Sequence, residues 1–377
     1  MNKHQLRVLF VISSLDRGGS ERQMINLAAG LIGLGYCAEI GTLVKPGSLV
    51  EEAQELGIPI IDFSQGAGSL LRGLLTLRRF VKAERPDVIH PYLPRDNALV
   101  SLLKPLLRPS KVVWGVRASD MDLTKYRRST RLLWPWVVRT SRRADLLIAN
   151  SEAGAEYHVA EGYPSDRMHV VYNGIDANTF DRRPLAGQTF RQDYGIDPRT
   201  PLLGLIGRFD PMKGHDRLVD IVAKVHSRIP DVQVVVVGSH TSDQGQALWR
   251  SFEQAGLSDR LTLVTEVSDP SGAFDACDVV LLPSYSEGFP NVLAEAMACG
   301  TPTVSFDVGD AKAISAGLCP VVEQNDIEAF ASAVVEMIKS PPDSRALRQH
   351  IQANFSLEQL ASRTADLLGQ LLTGQGK

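Results

Sequence analysis

Short apolar runs alternate with amphipathic stretches along almost the whole chain. RVLFVISSL, CAEIGTLV, IPIIDF, DVIHPYL, KVVWGVRA, DLLIANS and HVVYNGI are apolar at most positions, the pattern of strands buried on both faces. Between them lie segments with helical spacing, such as SERQMINLAAGLIGLG and LLRGLLTLRRFVKAERP. Strands of this kind alternating with helices predict a parallel sheet covered on both sides. After Asn173 the alternation breaks. DANTFDRRPLAGQTFRQDYGIDPRTP mixes Pro, Gly and charge without a clear period and reads as a linker near 177–200. The pattern restarts with PLLGLIGR, VQVVVVGS, LTLVTE, DVVLLPS and TPTVSF. The prediction is an α/β chain of two doubly wound domains, 1–185 and 186–355, followed by an amphipathic helix in 356–377 that packs on the first domain.

Length supports the division, since 377 residues exceed what one core usually holds. A net charge of -3 gives no general attraction to nucleic acid, but the charge is uneven. Up to Pro184 there are 25 Lys and Arg against 19 Asp and Glu; beyond it there are 15 against 24. A basic first part and an acidic second predict different partners for each. The four cysteines, Cys37, Cys277, Cys299 and Cys319, show neither metal-ligand spacing nor a disulfide framework, which fits a reducing cytoplasm. RVLFVISSL is better read as a first strand than as a leader, and no run approaches the ~20 apolar residues of a membrane helix.

In such sheets ligands sit beyond the carboxyl ends of the strands, and three strand-to-helix loops there carry chemistry. In SLDRGGSERQ, Gly18 and Gly19 let backbone N–H groups approach a phosphate at the start of a helix, or simply make a tight turn. The spacing is not the dinucleotide fingerprint. In GRFDPMKGHD, Arg208 and Lys213 lie five apart between Gly207 and Gly214. Two such cations suit a diphosphate, or they are surface charges flanking a turn. The P-loop pattern is absent. In SEGFPNVLAEAMACGTP, Glu287 falls in a loop and Glu295 about one turn into a helix that Gly300 ends. Two carboxylates eight residues apart suit a ligand with two separate hydroxyl-bearing parts, or they are ordinary loop and helix acids. Gly288, Phe289, Pro290, Asn291 and Val292, between them, are left for phosphate or sugar oxygens.

Taken in order, GG-x-ER, GR-x4-KG and E-x7-E resemble the retaining glycosyltransferases of GT-B fold, family 4 (glycosyl transferases group 1), over almost the whole chain. The resemblance implies two Rossmann-like domains facing a central cleft and a C-terminal helix crossing back to the first. It implies donor binding by Gly18, Gly19, Arg208, Lys213, Glu287 and Glu295 with the loop 288–292. Arg208 and Lys213 would meet the diphosphate, Glu295 the ribose and Glu287 the transferred sugar, so each carboxylate serves one end of a sugar nucleotide. The substrate would be a UDP-, GDP- or ADP-sugar, with no cofactor required. The acceptor would be a glycan or a lipid-linked saccharide in cell-surface polysaccharide assembly.

One position departs from the pattern. Many family members place a histidine after the strand KVVWGV where this chain has Arg117, in VRASDMD. An arginine binds a sugar or an acidic group but is no general base. His90, Asp120, Asn150 and Asn173 also close strands or loops on that side and are acceptor-side candidates. Asp120–Asp122 form a D-x-D triplet without evident companion ligands, so no metal site is expected. The basic, Trp-bearing stretch Lys125–Arg143 is suited either to an anionic membrane surface or to covering a sheet, with Pro135 bending it. The expected location is the cytoplasm, with contact at the inner membrane face. The alternatives are a sugar-nucleotide epimerase or phosphorylase of the same fold, and a non-catalytic subunit that binds sugar nucleotides.

Overall fold

A computed structural model describes residues 5–16, 18–66, 68–117, 128–239, 241–265, 267 and 270–374, the side chains of 128–130 excepted. The chain forms two compact units. One comprises residues 1–174 with 357–377, and the other residues 175–356.

The first unit runs β1 (Arg7–Ile12), α1 (Gly19–Gly33), β2 (Cys37–Thr42), α2 (Val50–Glu55), β3 (Ile60–Asp62), α3 (Leu70–Glu84), β4 (Val88–Pro91), α4 (Pro94–Leu103), β5 (Lys111–Val116), α5 (Arg128–Ser141), β6 (Leu146–Ala149), α6 (Glu152–Ala160) and β7 (Met168–Val170). Its strands pair in parallel in the order β3-β2-β1-β4-β5-β6-β7. β1 lies inside the sheet, paired with β2 on one side (Val8 opposite Ala38) and β4 on the other (Val8 opposite Val88). Alternate side chains of a strand face opposite ways, and here both sets are apolar. Val8, Phe10 and Ile12 enter one core with Met24, Leu27 and Leu31 of α1, while Leu9 and Val11 enter a second with Leu77, Val81, Trp114 and Trp134. That two-sided burial is what the near-continuous apolar runs encode.

The second unit runs α7 (Pro184–Asp193), β8 (Leu202–Ile206), α8 (His215–His226), β9 (Gln233–Val237), α9 (Ser242–Gln254), β10 (Leu261–Val264), α10 (Pro270–Ala276), β11 (Val279–Leu282), α11 (Asn291–Cys299), β12 (Thr303–Phe306), α12 (Ala311–Ser315), β13 (Val321–Val322), α13 (Ile327–Lys339) and α14 (Ser344–Asn354). Its sheet is also parallel, ordered β10-β9-β8-β11-β12-β13. The chain then returns to the first unit as α15 (Leu357–Thr373). Leu360 and Leu368 of α15 join the core over α1, and Ala361 sits so close to Gly30 that a Cβ on Gly30 would lie 2.7 Å from its methyl group.

The segment read as a linker contains α7, and residues 175–185 lie in the second unit. α7 starts with Pro184, preorganised for a first turn. Polar bonds hold it in place: buried Arg191 donates to Ala276 O (2.8 Å), Asp197 O (3.0 Å), Thr200 O (2.8 Å) and Asp278 Oδ2 (3.0 Å). A helix anchored by an arginine leaves no apolar period to read. β13, with two residues, is likewise too short to show one.

Candidate active site

In the second unit two loops at the carboxyl end of the sheet are tied together. After β8, Asp210 caps the single turn Pro211–Lys213 by accepting from Met212 N (3.0 Å), and Met212 O in turn accepts from Tyr285 N (2.8 Å) in the loop after β11. Gly214 closes that turn at φ 70°, where a Cβ would lie 2.0 Å from Pro283 O, so the two backbones touch where only glycine fits. This contact sets Lys213 beside Glu287. Lys213 Nζ donates to Glu287 Oε1 at 2.8 Å and Oε2 at 3.0 Å, and Ser284 Oγ donates to Oε1 at 2.7 Å. Glu287 is nearly enclosed, with 10% of its side chain exposed. Arg208 stands apart, 67% exposed and 3.5 Å from Asp210 Oδ2.

Beneath the loop lies Arg217, which the sequence pattern does not single out. Its guanidinium sits 3.6 Å from the Tyr285 ring centre and donates to Pro283 O (3.1 Å) and Gln324 Oε1 (3.1 Å). It fixes the loop from below by hydrogen bonds and cation–π contact. α11 opens at Asn291 after Pro290, which supplies no side-chain cap. Its positive end therefore meets the loop that bears Glu287. Val292 and Glu295 are part-buried on α11, and Gly288 O accepts from Asp310 N (3.1 Å). Phe289 is buried against Phe355 at 5.5 Å, so what that position offers a ligand is backbone.

In the first unit, Gly18 precedes α1 in an extended conformation, and a Cβ there would lie 2.3 Å from Glu21 Oε2. A carboxylate thus lies beside Gly18 at the start of α1. Past β1, Ser13 N donates to Asp96 Oδ2 (2.8 Å) and Ser13 Oγ to Asp96 Oδ1, and burial raises the Asp96 pKa against those bonds. Gln23 clasps Gly174, with Nε2 donating to Gly174 O (2.9 Å) and Oε1 accepting from Gly174 N (3.1 Å), which fixes the chain just past buried Asn173.

His90 does not reach the surface. It is fully buried and stacked on Phe10 at 5.1 Å, where burial and then the charge of Arg117 push its pKa down to about 3. Arg117 lies over the Tyr92 ring at 4.0 Å. Asn150 is buried at the end of β6, its N donating to Val116 O (3.1 Å). Asp120 lies outside the described residues. Of the basic stretch, Trp134 is buried and donates to Glu161 Oε2 (2.8 Å), so it belongs to the core, while Leu132 and Leu133 face outward. Among the described residues no helix is long and apolar enough to cross a membrane.

Two family models match. Residues 17–179 match Glycosyltransferase Family 4, and residues 200–340 match Glycosyl transferases group 1. The chain belongs to this family of glycosyltransferases. A curated relative, the D-inositol 3-phosphate glycosyltransferase of Mycobacterium sp. (strain KMS), is 35% identical over 224 residues, 56% of this chain and 49% of the relative. The chain thus spans about half the length of the curated relatives it matches. Among solved structures, Anabaena HepE in complex with UDP and glucose superposes with a TM-score of 0.84 at 22% identity, covering 97% of this chain and 100% of that one. Sucrose-phosphate synthase from Thermosynechococcus elongatus gives 0.78 at 21%, covering 98% and 100%. The family 4 chain therefore has the GT-B fold, and its GR-x4-KG and E-x7-E motifs fall on the paired loops of the second unit. There, an ammonium with three N–H groups is shared with one carboxylate, which leaves donor capacity for a further anion.

Proposed function

We propose that this family 4 chain transfers a sugar from a nucleoside diphosphate sugar to an acceptor hydroxyl with retention of anomeric configuration and without a metal. The observation that carries the reading is the Lys213–Glu287 pair in the loop that leads into α11. Departure of a nucleoside diphosphate loads negative charge onto its terminal phosphate, and an oriented ammonium and a helix N-terminus stabilise that charge without reorganising. In this reading Lys213 donates to the departing phosphate oxygen, and exposed Arg208 closes on the diphosphate from solvent. Glu287, held by Ser284, keeps Lys213 oriented and accepts from a hydroxyl of the transferred sugar. Glu295 takes the ribose hydroxyls. The C1–O bond to phosphate breaks through an oxocarbenium-like state, the acceptor oxygen bonds to C1 on the same face, and the acceptor proton passes to the leaving phosphate.

HepE has been crystallised with UDP-glucose and with UDP and glucose, which favours a UDP-sugar among the three donors. The acceptor side is assigned to the basic first unit, and the acceptor to a glycan or lipid-linked saccharide of cell-surface polysaccharide assembly. A small phosphorylated polyol is the second reading, favoured by the inositol phosphate relatives. Contact with an anionic inner membrane face is assigned to the outward Leu132 and Leu133 of α5 beside Arg131. Vesicle sedimentation with Leu132→Asp tests it.

The deciding experiment follows nucleotide release from UDP-, GDP- and ADP-sugars by wild type, Arg208→Ala and Glu295→Ala, with product anomers read by proton NMR. Release of one nucleoside diphosphate by wild type, lost in both variants, with an unchanged anomeric configuration, supports the reading. Absence of binding to any nucleotide overturns it.

A further inference from the structure

At the carboxyl ends of β4 and β5 in the first unit, polar groups collect without partners. All three side-chain nitrogens of Arg117 are shut from solvent, and none finds an acceptor among the described residues. The same holds for Tyr92 Oη and His90 Nε2, both on fully buried residues. The rings of His90 and Tyr92 lie 5.4 Å apart, and Arg117 Cζ lies 4.0 Å from the Tyr92 ring centre, so the three form one patch.

The patch has the marks of a built arrangement. Gly115 leaves the room, because a Cβ there would lie 3.1 Å from Tyr92 Cδ2 and 3.2 Å from Arg117 Nε. Asn97 Nδ2 donates to Gly115 O (2.8 Å) and pins that strand end. The Tyr92 face offsets part of the guanidinium charge but meets none of its N–H groups, which lie in the guanidinium plane. His90 adds no charge, its pKa being held near 3. A buried guanidinium fork without an acceptor among the described residues is costly, and planar oxyanions match that fork.

We infer that Arg117 and Tyr92 form a recognition site for an anionic group, a carboxylate or phosphate borne by a sugar or polyol substrate. The inference rests on the transferase reading for the identity of the substrate, but its binding chemistry stands on the first unit alone. Two sources carry such a group: the transferred sugar of the donor, as in a uronosyl nucleotide, and the acceptor.

The experiment compares UDP-glucose with UDP-glucuronate, and inositol with inositol 1-phosphate and glucose with glucose 6-phosphate as acceptors, in wild type, Arg117→Met and Arg117→Lys. Direct calorimetry of glucuronate and inositol 1-phosphate runs beside the turnover assays, and UDP affinity reports that each variant is folded. The site predicts that one arm, donor or acceptor, prefers its anionic member by roughly a hundredfold. Arg117→Met collapses that preference to within about tenfold, and Arg117→Lys restores only part of it, because an ammonium lacks the fork. The preferred arm identifies the source. Equal use and equal binding of neutral and anionic members with UDP binding intact would overturn this inference alone. Loss of UDP binding with Arg117-dependent anion binding retained would overturn the transferase reading and leave this one standing.

Discussion

Lys213 Nζ lies 2.8 and 3.0 Å from the two carboxylate oxygens of Glu287, across 74 residues of sequence, in a loop pair whose backbones touch at Gly214. The ion pair couples the two residues, so under the proposed function their effects on nucleotide binding should not add. Lys213→Ala removes a charged donor and should weaken UDP binding by roughly 10–100-fold, the range of a charge-assisted hydrogen bond. Glu287→Ala frees the ammonium and should weaken UDP less than Lys213→Ala while abolishing transfer. Calorimetry on both single variants and the double variant should give a coupling of about 0.5–3 kcal/mol. Strict additivity would separate the two roles.

The touching loops make a second, sharper test. Gly214 and Gly195 both have left-handed φ, 70° and 68°, but a Cβ on Gly195 meets nothing within 4 Å whereas one on Gly214 would lie 2.0 Å from Pro283 O. Gly195→Ala should cost only the conformational penalty, about 1–2 kcal/mol. Gly214→Ala should cost more and should also lower UDP affinity, because the turn bearing Lys213 must move away from the Glu287 loop. Urea unfolding and UDP titration of the two variants check this. Equal losses in both would show that the loop contact is not what positions Lys213.

Much of this was legible in the sequence, and the rest was hidden for a definite reason. The strands could be read because both faces of β1 are apolar, and a run such as RVLFVI records that burial directly. The loops bearing Lys213, Glu287 and Glu295 stood out because glycine, proline and charge interrupt the apolar pattern there. Periodicity records burial, however, and not which polar groups meet. It does not show that Lys213 and Glu287 pair, nor that Arg217 lies under Tyr285 and Tyr92 under Arg117, and it leaves the arginine-anchored α7 looking like linker. His90, at a strand end, is by sequence either a structural histidine or an acceptor-side candidate. Burial, the stacking on Phe10 and the charge of Arg117 make it a buried neutral imidazole.

The return of α15 to the first unit is held by apolar contact, since Leu368 is fully buried in the core over α1. Leu368→Ala should destabilise the first unit by about 2–5 kcal/mol. Leu371, only partly buried at the same face, should cost much less when cut to alanine. UDP affinity, which the proposed function assigns to the second unit, should change little in either variant at a temperature below its unfolding. Hydrogen exchange resolved by peptide would show the loss confined to residues 1–174 and 357–377. A uniform loss across both units would mean that the chain unfolds as one cooperative body.

Acid stability tests the buried imidazoles. The folded pKa of His90 is depressed from 6.5 to about 3 by burial and by Arg117, and that of His158 is lowered, mainly by burial. His90 is therefore neutral when folded, while the unfolded chain takes up its proton below about pH 6.5. For His90 the unfolded state binds more protons between pH 6.5 and 3, and stability falls as pH falls through that window, by up to about 1.4 kcal/mol per pH unit, with His158 acting in the same sense. Buried Asp96 and Asp275, whose pKa values are raised chiefly by burial, the latter to about 6, act in the opposite sense and reduce the net slope. Comparing variants cancels them. His90→Asn should lose stability at pH 7 because it leaves a gap against Phe10, and its stability should also depend less steeply on pH between 6.5 and 4.5 than that of wild type. Urea unfolding at half-unit steps of pH measures both. An unchanged slope would mean that His90 is protonated in the folded protein, and its neutral place beside Arg117 would then be wrong.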